Sequence, residues 1–359
     1  MAKFHKLKVA DVRKETPDCV SIAFNVPAEL KEEYAYKQGQ YLTFRLTVNG
    51  EEIRRSYSLC SSPVEDAELR VAIKRVKNGR GSNFLNSNIK VGDELEVMTP
   101  MGNFHTPLNA SNKKNYVLIA GGSGITPMLS IIRTVLKAEP QSTLQLFYGN
   151  LDEAGTIFRK TLDDLSASNA SRLSIVHVLD KPSGSLPEIQ KGIMTQEKVK
   201  ALVEKFIDLK KDNEFFICGP GPMMDNAKNV LEGLGVNKDR IHIEYFTASL
   251  DASKPTGTGA TVRVDAVVSQ VTVLLDGNET TFELASNGKV ILDAALDADL
   301  DVPFACKGAV CCTCRAKLLE GKVKMDQNFA LTDSEVAEGY ILTCQSHPLT
   351  PTVKVDYDV

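Results

Sequence analysis

The chain has 359 residues, of which 43% are hydrophobic and 25% charged. That balance is ordinary for a folded globular protein, and the length implies two to three domains. No apolar run approaches the ~18 residues of a membrane-spanning helix. The N-terminal MAKFHKLKVADVRK is too charged for a secretory signal, and no basic stripe points to nucleic acid. Net charge is −4 but uneven: from Arg263 onward there are 8 Lys/Arg against 15 Asp/Glu. An acidic segment of this kind suits docking on a basic partner surface, or merely solubility.

The first hundred residues read as strands. YLTFRLTV (41–48), IRRSYSLC (53–60), ELRVAIKRV (68–76) and ELEVMTP (94–100) alternate or run apolar between Gly, Pro and Asn breaks. That pattern predicts a small antiparallel barrel over residues 1–110. GRGSNFLN (79–86) is a Gly-rich turn into a helix, where free N–H groups attract a phosphate. From about Asn115 the pattern changes to strands alternating with helices. NYVLIAGG is followed by the amphipathic TPMLSIIRTVLKAE, then TLQLFYG, RLSIVHVL, EFFICG and RIHIEYF. This predicts a doubly wound parallel sheet over 111–247. Two Gly-rich turns end strands of that sheet: GGSGITP (121–127) and CGPGPMM (218–224). Taken singly, each is as compatible with a plain strand-to-helix turn as with nucleotide binding.

TASLDASKPTGTGATV then reads as a flexible linker, placed at 248–262. In the last segment, 263–359, SQVTVLLDG and ETTFELA form a predicted hairpin about Asp276-Gly277, and VILDAALD (290–297) has helical spacing. TVKVDY closes the chain as a strand. Between them lies CKGAVCCTC, with a further cysteine in LTCQ. Cys306, Cys311, Cys314 and Cys344 give C-x4-C-x2-C…C, the spacing of a plant-type 2Fe–2S site. Two irons need four thiolates, three from one tight loop and one from elsewhere. Small residues between them (Gly308, Ala309, Thr313) let N–H groups turn toward the sulfurs. A disulfide knot lacks a secretory context, and a zinc ribbon would pair C-x2-C with a second C-x2-C. Cys312 is expected to be a spectator. With the cysteines assigned to a cluster, the cytoplasm is the expected compartment.

R-x-Y-S (55–58), G-x-x-S, GGSGITP and CGPGPMM, in this order over residues 1–247, resemble the ferredoxin–NADP reductase superfamily. The C-terminal segment resembles a β-grasp ferredoxin. The full length is similar to the reductase subunits of bacterial phenylacetyl-CoA ring epoxidases, notably in RRSYSLCSSP, GSGITPML, ICGPGPMMD and ACKGAVCCTCRAKLLEGKVKMDQNFAL…GYILTCQ. The resemblance implies FAD on the barrel, NAD(P)H on the second domain and a 2Fe–2S cluster at the C-terminus. Arg55 and Ser56 would meet the flavin, with Arg55 neutralising its pyrophosphate. Tyr57 would stack on the isoalloxazine, and Ser58 would sit near its N5. Gly81 and Ser82 would hold the pyrophosphate. Gly121, Gly122, Gly124 and Thr126 would bind the NAD(P)H diphosphate, with Thr126 lining the path of transfer. Cys218, Gly219 and Pro220 would flank the nicotinamide. Phe246 matches an aromatic that covers the flavin; as a residue by itself it is equally a core residue.

The resemblance further implies NADPH, through an arginine after the second strand. Here Leu151, Asp152 and Glu153 stand at that place, and acids there read a free ribose hydroxyl as in NAD sites. Arg159 and Lys160 are alternative cations, so NADH stays open. No Glu-x-x-His pair exists for a di-iron bundle and no His pair for a Rieske centre. The five histidines, His5, His105, His177, His242 and His347, receive no catalytic role. The expected partner is therefore a separate set of oxygenase catalytic subunits, the di-iron phenylacetyl-CoA epoxidase first. Another oxygenase or a hybrid-cluster protein is the alternative acceptor, and a non-enzymatic redox-sensing module is the alternative of another class.

Overall fold

In the computed structural model the described residues are 3–246 and 267–359, so the expected linker at 248–262 and the start of the last segment at 263 lie outside them. The chain divides into two compact units, Phe4–Glu244 and one containing Tyr245–Val359.

The first unit opens with six strands: β1 (Phe4–Thr16), β2 (Cys19–Asn25), β3 (Tyr41–Val48), β4 (Glu51–Ser58), β5 (Leu69–Lys74) and β6 (Glu94–Met98), with helix α1 (Arg80–Asn88) between the last two. All pairings are antiparallel, in the order β4-β3-β6-β1-β2-β5. The free edges meet through a Leu59–Val71 bridge and a Cys60 N–H to Arg70 carbonyl bond of 2.8 Å. That contact closes the sheet into the expected barrel. Its interior is filled by Leu7, Ile22, Phe24, Leu42, Phe44 and Val97. Sequence reading did not single out β1 and β2. In β1, charged residues alternate with Leu7 and Val9, which are buried, as a strand with one wet face requires.

The second half of this unit comprises β7 (Asn115–Gly121), α2 (Ile125–Ala138), β8 (Thr143–Asn150), α3 (Arg159–Ser168), β9 (Leu173–Leu179), α4 (Gln196–Phe206), β10 (Asn213–Cys218), α5 (Gly221–Gly233) and β11 (Ile241–Glu244). The sheet is parallel throughout, ordered β11-β10-β7-β8-β9. Every residue of β10 is buried, which explains the apolar run from Phe215 to Cys218. The order reverses between β7 and β10. A crevice outside the carboxyl ends of those two strands is the place where such sheets take ligands.

The other unit holds β12 (Val268–Leu275), β13 (Asn278–Ala285), α6 (Ile291–Asp297), β14 (Arg315–Glu320), β15 (Val323–Met325), α7 (Asp333–Ala337), β16 (Tyr340–Leu342), β17 (Ser346–Pro348) and β18 (Thr352–Asp356). Its main sheet runs β13-β12-β18-β14-β16, with β12 and β18 parallel and the rest antiparallel. The hairpin turn at Asp276-Gly277, both at positive φ, is held by Asp358, whose carboxylate accepts from both N–H groups at 2.8 Å. Hairpin, α6 and last strand fall where expected. The short β14 to β17 were not foreseen, because three of them lie in mixed polar sequence of three to six residues.

The parallel sheet is anchored at its amino-terminal edge by Glu214. Its side chain is 5% exposed and accepts from Lys114 at 2.8 Å, His242 at 3.1 Å and Arg240. Burial opposes ionisation, but these donors and the two cations outweigh it and hold the carboxyl at about 2. An unfolded glutamate titrates near 4.5, so this contribution is complete above pH 4.5 and is lost as pH falls toward about 2. Glu214→Gln is expected to destabilise the folded chain at pH 7 by about 3 kcal/mol. Chemical denaturation followed across pH 2–7 checks both the size and the loss of acid sensitivity.

Candidate functional site

Strand alternation sorts the RRSYS segment onto two faces. Arg55 and Tyr57 share one face with Ile53, and Ser56 and Ser58 the other. Gly81, in the first turn of α1, lies against the first face. A Cβ there would sit 3.0 Å from Arg55 Cγ and 3.3 Å from the Tyr57 hydroxyl. Glycine therefore lets the helix start approach the Arg-Tyr pair. Tyr57 packs its ring on Phe44 with centroids 5.6 Å apart, and burial pushes its hydroxyl up to about 12. The Arg55 side chain is exposed and anchored by a 2.7 Å bond to the Arg54 carbonyl. Ser82 is buried, and its Oγ accepts from the Val76 N–H at 3.2 Å, so its hydroxyl shapes the turn. On the other face, Ser56 bonds Thr43 at 2.9 Å.

The two Gly-rich turns meet at the carboxyl ends of β7 and β10. A Cβ on Gly124 would lie 2.1 Å from the Cys218 carbonyl oxygen. One on Gly219 would lie 2.9 Å from the Gly121 nitrogen, and one on Gly121 would strike Pro220 and Met223. Gly122 differs: its φ is +52° and a Cβ would meet nothing. It presents bare backbone to the crevice, with its carbonyl held by the Tyr148 hydroxyl at 3.0 Å. Thr126 is buried and donates to the Ser123 carbonyl at 3.0 Å. The turn begins α2, whose first N–H groups have no partner within the helix. Free N–H groups at a helix start of this kind can receive a phosphate.

Barrel and sheet converge at one point. Ser58 Oγ donates to Glu244 Oε2 at 3.1 Å. Cys218 is the register partner of Glu244 on the adjacent strand. Burial, then the neighbouring Glu244, pushes the Cys218 thiol well up. Glu244 keeps an accessible edge, yet the protein crowded round it raises its carboxyl to about 8 against the lowering pull of Ser58. At neutral pH a hydroxyl, a thiol and a protonated carboxyl thus line one spot beside the crevice. Sequence reading missed Glu244, although an acid in the apolar run RIHIEYF was the available signal. Of the two readings of Phe246, one is removed: β11 ends at Glu244, and Phe246 is 39% exposed. It is not a core residue.

In the other unit, Cys311 Sγ lies 3.1 Å from Cys306 Sγ, and Cys314 pairs with Cys344. The Cys311 thiol and the N–H groups of Gly308, Val310 and Cys311 hold Cys306 down at about 6. Cys344 is lowered by Cys314 and by the Ala309 N–H. The loop reaches this form with Lys307 at φ +51° and Ala309 at φ +63°, which turns successive N–H groups inward. Among the described residues, no three His, Cys, Asp or Glu side chains close round one point as a single-ion site requires. Two thiol pairs fit a two-iron cluster, in which each iron asks the protein for two sulfurs. Cys306 is exposed and the other three are buried.

Three families match in succession: the oxidoreductase FAD-binding domain over residues 6–106, the oxidoreductase NAD-binding domain over 118–229, and the 2Fe-2S iron-sulfur cluster binding domain over 273–349. One component of the 1,2-phenylacetyl-CoA epoxidase of Escherichia coli K12 is 41% identical over 358 residues, 100% of this chain and 99% of that one. The chain belongs to the ferredoxin–NADP reductase superfamily. The 3-ketosteroid-9-alpha-monooxygenase ferredoxin reductase component of Rhodococcus rhodochrous is 35% identical, covering 98% of this chain and 96% of its own. Among solved structures, phthalate dioxygenase reductase aligns over 98% of both chains with a TM-score of 0.57 and 27% identity. As a superfamily member with a C-terminal 2Fe–2S domain, the chain is an NAD(P)H-dependent flavin iron–sulfur oxidoreductase, and the non-enzymatic alternative falls.

Glu244 also makes a prediction. A carboxyl raised from 4.5 to about 8 takes up a proton on folding, so its contribution falls as pH rises from 4.5 to about 8. Glu244→Gln is expected to flatten the stability–pH curve over that window and leave lower pH unchanged. Thermal unfolding of both proteins at a series of pH values checks it.

Proposed function

We propose that this chain is the reductase component of a phenylacetyl-CoA ring epoxidase, passing electrons to separate di-iron oxygenase subunits. The full-length 41% identity to the Escherichia coli epoxidase component, against 35% to the ketosteroid-monooxygenase component, carries this choice of acceptor. When bound, FAD takes an electron pair from the reduced nucleotide and the cluster forwards electrons singly. The chain's own residues place and insulate. Arg55, Gly81 and Ser82 hold the flavin pyrophosphate, while Ser56 steadies β4. Tyr57 stacks on the ring, with Phe246 covering it. Gly121, Gly122, Gly124 and Thr126 cradle the nucleotide diphosphate. Cys218, Gly219, Pro220 and Ser58 bound the reacting spot. Cys306, Cys311, Cys314 and Cys344 ligate the irons. We place the domain limits at 1–110, 111–247 and 263–359, with the linker at 248–262, and the protein in the cytoplasm.

The deciding experiment combines this protein, purified epoxidase subunits, phenylacetyl-CoA, oxygen and NADPH or NADH. Epoxide that depends on this chain supports the reading. Fast dye reduction without epoxide moves the acceptor to another oxygenase or a hybrid-cluster protein. Cys311→Ser is expected to abolish cytochrome c reduction while ferricyanide reduction through the flavin persists. Cytochrome c reduction that survives intact rejects the route through the cluster.

For the nucleotide, we infer that NADH serves at least as well as NADPH. Residues 151–165 carry four acids (Asp152, Glu153, Asp163, Asp164) and two cations. Lys160 pairs with Asp164 at 2.6 Å and Arg159 lies 3.9 Å from Asp163. A 2′-phosphate entering there meets net negative charge. Asp152 and Glu153 fold the loop by accepting from the Gly155 and Ser183 N–H groups. Leu151→Arg is expected to shift the kcat/KM ratio toward NADPH by about 10-fold or more, one charge-assisted hydrogen bond. Steady-state dye reduction with both nucleotides measures it.

A further inference from the structure

The segment that follows Ser58 and the helix that follows the GGSGITP turn are joined by a polar clamp. Ser130 Oγ donates to the Ser61 carbonyl at 2.6 Å. Ser62 and Thr134 share a hydroxyl–hydroxyl bond of 2.9 Å. Arg133 grips Asp66 with both terminal nitrogens, at 2.7 and 2.8 Å, and reaches Glu65 at 3.1 Å. Asp66 also accepts the Ser62 N–H at 2.8 Å, and the Tyr36 hydroxyl donates to Ser61 Oγ at 2.8 Å. Ser61, Ser62, Ser130 and Thr134 are at most 2% exposed, whereas Arg133 and Asp66 reach the surface at 25% and 19%.

Ser130, Arg133 and Thr134 stand at i, i+3 and i+4, on one face of α2. Thr126 is one turn up that face, a rise of about 6 Å. On the barrel side, Ser61 is three residues from Ser58, a reach of at most ~10 Å. The lever arms are short, so a shift at the clamp becomes a shift of similar size at the crevice. An apolar seam would tolerate such sliding. A seam of buried hydroxyls closed by a two-pronged Arg–carboxylate contact does not, because any other register leaves donors unmade.

We propose that this clamp sets the register between the nucleotide turn and the flavin segment, with Arg133 and Asp66 as positioning residues for electron-pair transfer. The inference rests on assigning Tyr57–Ser58 to the flavin and Gly122–Thr126 to the nucleotide. Transfer requires the reacting atoms at about 3–3.5 Å, and a misplacement of about 1 Å costs up to 10²-fold.

The test is anaerobic stopped-flow reduction of the FAD-loaded enzyme by saturating NADH or NADPH, with light and deuterated nucleotide. Arg133→Ala is expected to slow the saturated rate by about 10-fold or more. Flavin content should be retained, nucleotide Kd should move little, and the deuterium effect should rise. The charge-swapped pair Arg133→Asp with Asp66→Arg is expected to restore most of the rate. In the apo chain, hydrogen exchange should quicken in residues 59–66 and 126–135 alone. If Arg133→Ala does not fold, the isosteric Asp66→Asn takes its place. A rate unchanged within about twofold, or a loss that tracks falling Tm and is not rescued by the swap, overturns the proposal. Ser58→Ala is the separate control: if it leaves reduction untouched, the assignment of the flavin segment fails whatever Arg133 does.

Discussion

The constraint on which the reductase unit depends is the near-contact of two backbone turns. Gly124 has no room for a methyl group because the Cys218 carbonyl stands where a Cβ would be; the Gly121 backbone blocks one on Gly219, and Pro220 and Met223 block one on Gly121. Close backbone approach holds the two turns together at the carboxyl ends of β7 and β10. It also aims α2 and fixes where Cys218 stands relative to Glu244 and Ser58. Bulk at any of these three glycines would part the turns, so three positions without side chains determine where Cys218, Glu244 and Ser58 lie.

Electrostatics then separate the two edges of the same sheet. At the amino-terminal edge, Glu214 is ringed by two cations and a histidine and is held at about 2. At the carboxyl edge, Glu244 is paired with no cation among the described residues, accepts from the Ser58 hydroxyl, and rises to about 8. Both carboxyls are crowded by protein. Their opposite behaviour follows from whether compensating charge was supplied. A fully compensated acid is structural, since it gains nothing by changing state. An uncompensated one holds a proton at neutral pH that it can share with its neighbours, and it lies where barrel and sheet meet.

Much of this was legible in the sequence because several motifs act through backbone geometry. GGSGITP, CGPGPMM and the Gly-Ser pair in the first turn of α1 declare close approach, and the cysteine spacing declares a two-iron loop. Continuous apolar runs disclosed β7 and β10, since strands covered on both faces need no alternation. The rest was hidden for identifiable reasons. β1 was masked by its own wet face, in which lysines and arginines interrupt the apolar residues. Glu244 was overlooked because its meaning lies in Ser58, which is 186 residues away. Arg133 read as an ordinary charged position on an amphipathic helix; nothing local announces that Asp66 faces it.

The cluster loop shows how far a non-glycine backbone is strained to serve a site. Lys307 and Ala309 both adopt left-handed φ, a conformation costing of order 1 kcal/mol or more per residue. Glycine at either position would remove the strain but loosen the loop when unfolded. The strained form brings the Gly308 N–H onto Cys306 at 3.3 Å and the Ala309 N–H toward Cys344. Each of the two sulfur pairs thereby receives a backbone donor. Thiolates, not thiols, bind iron. The loop therefore aims its N–H donors at the sulfurs in advance, and the cost of that arrangement is carried by the fold.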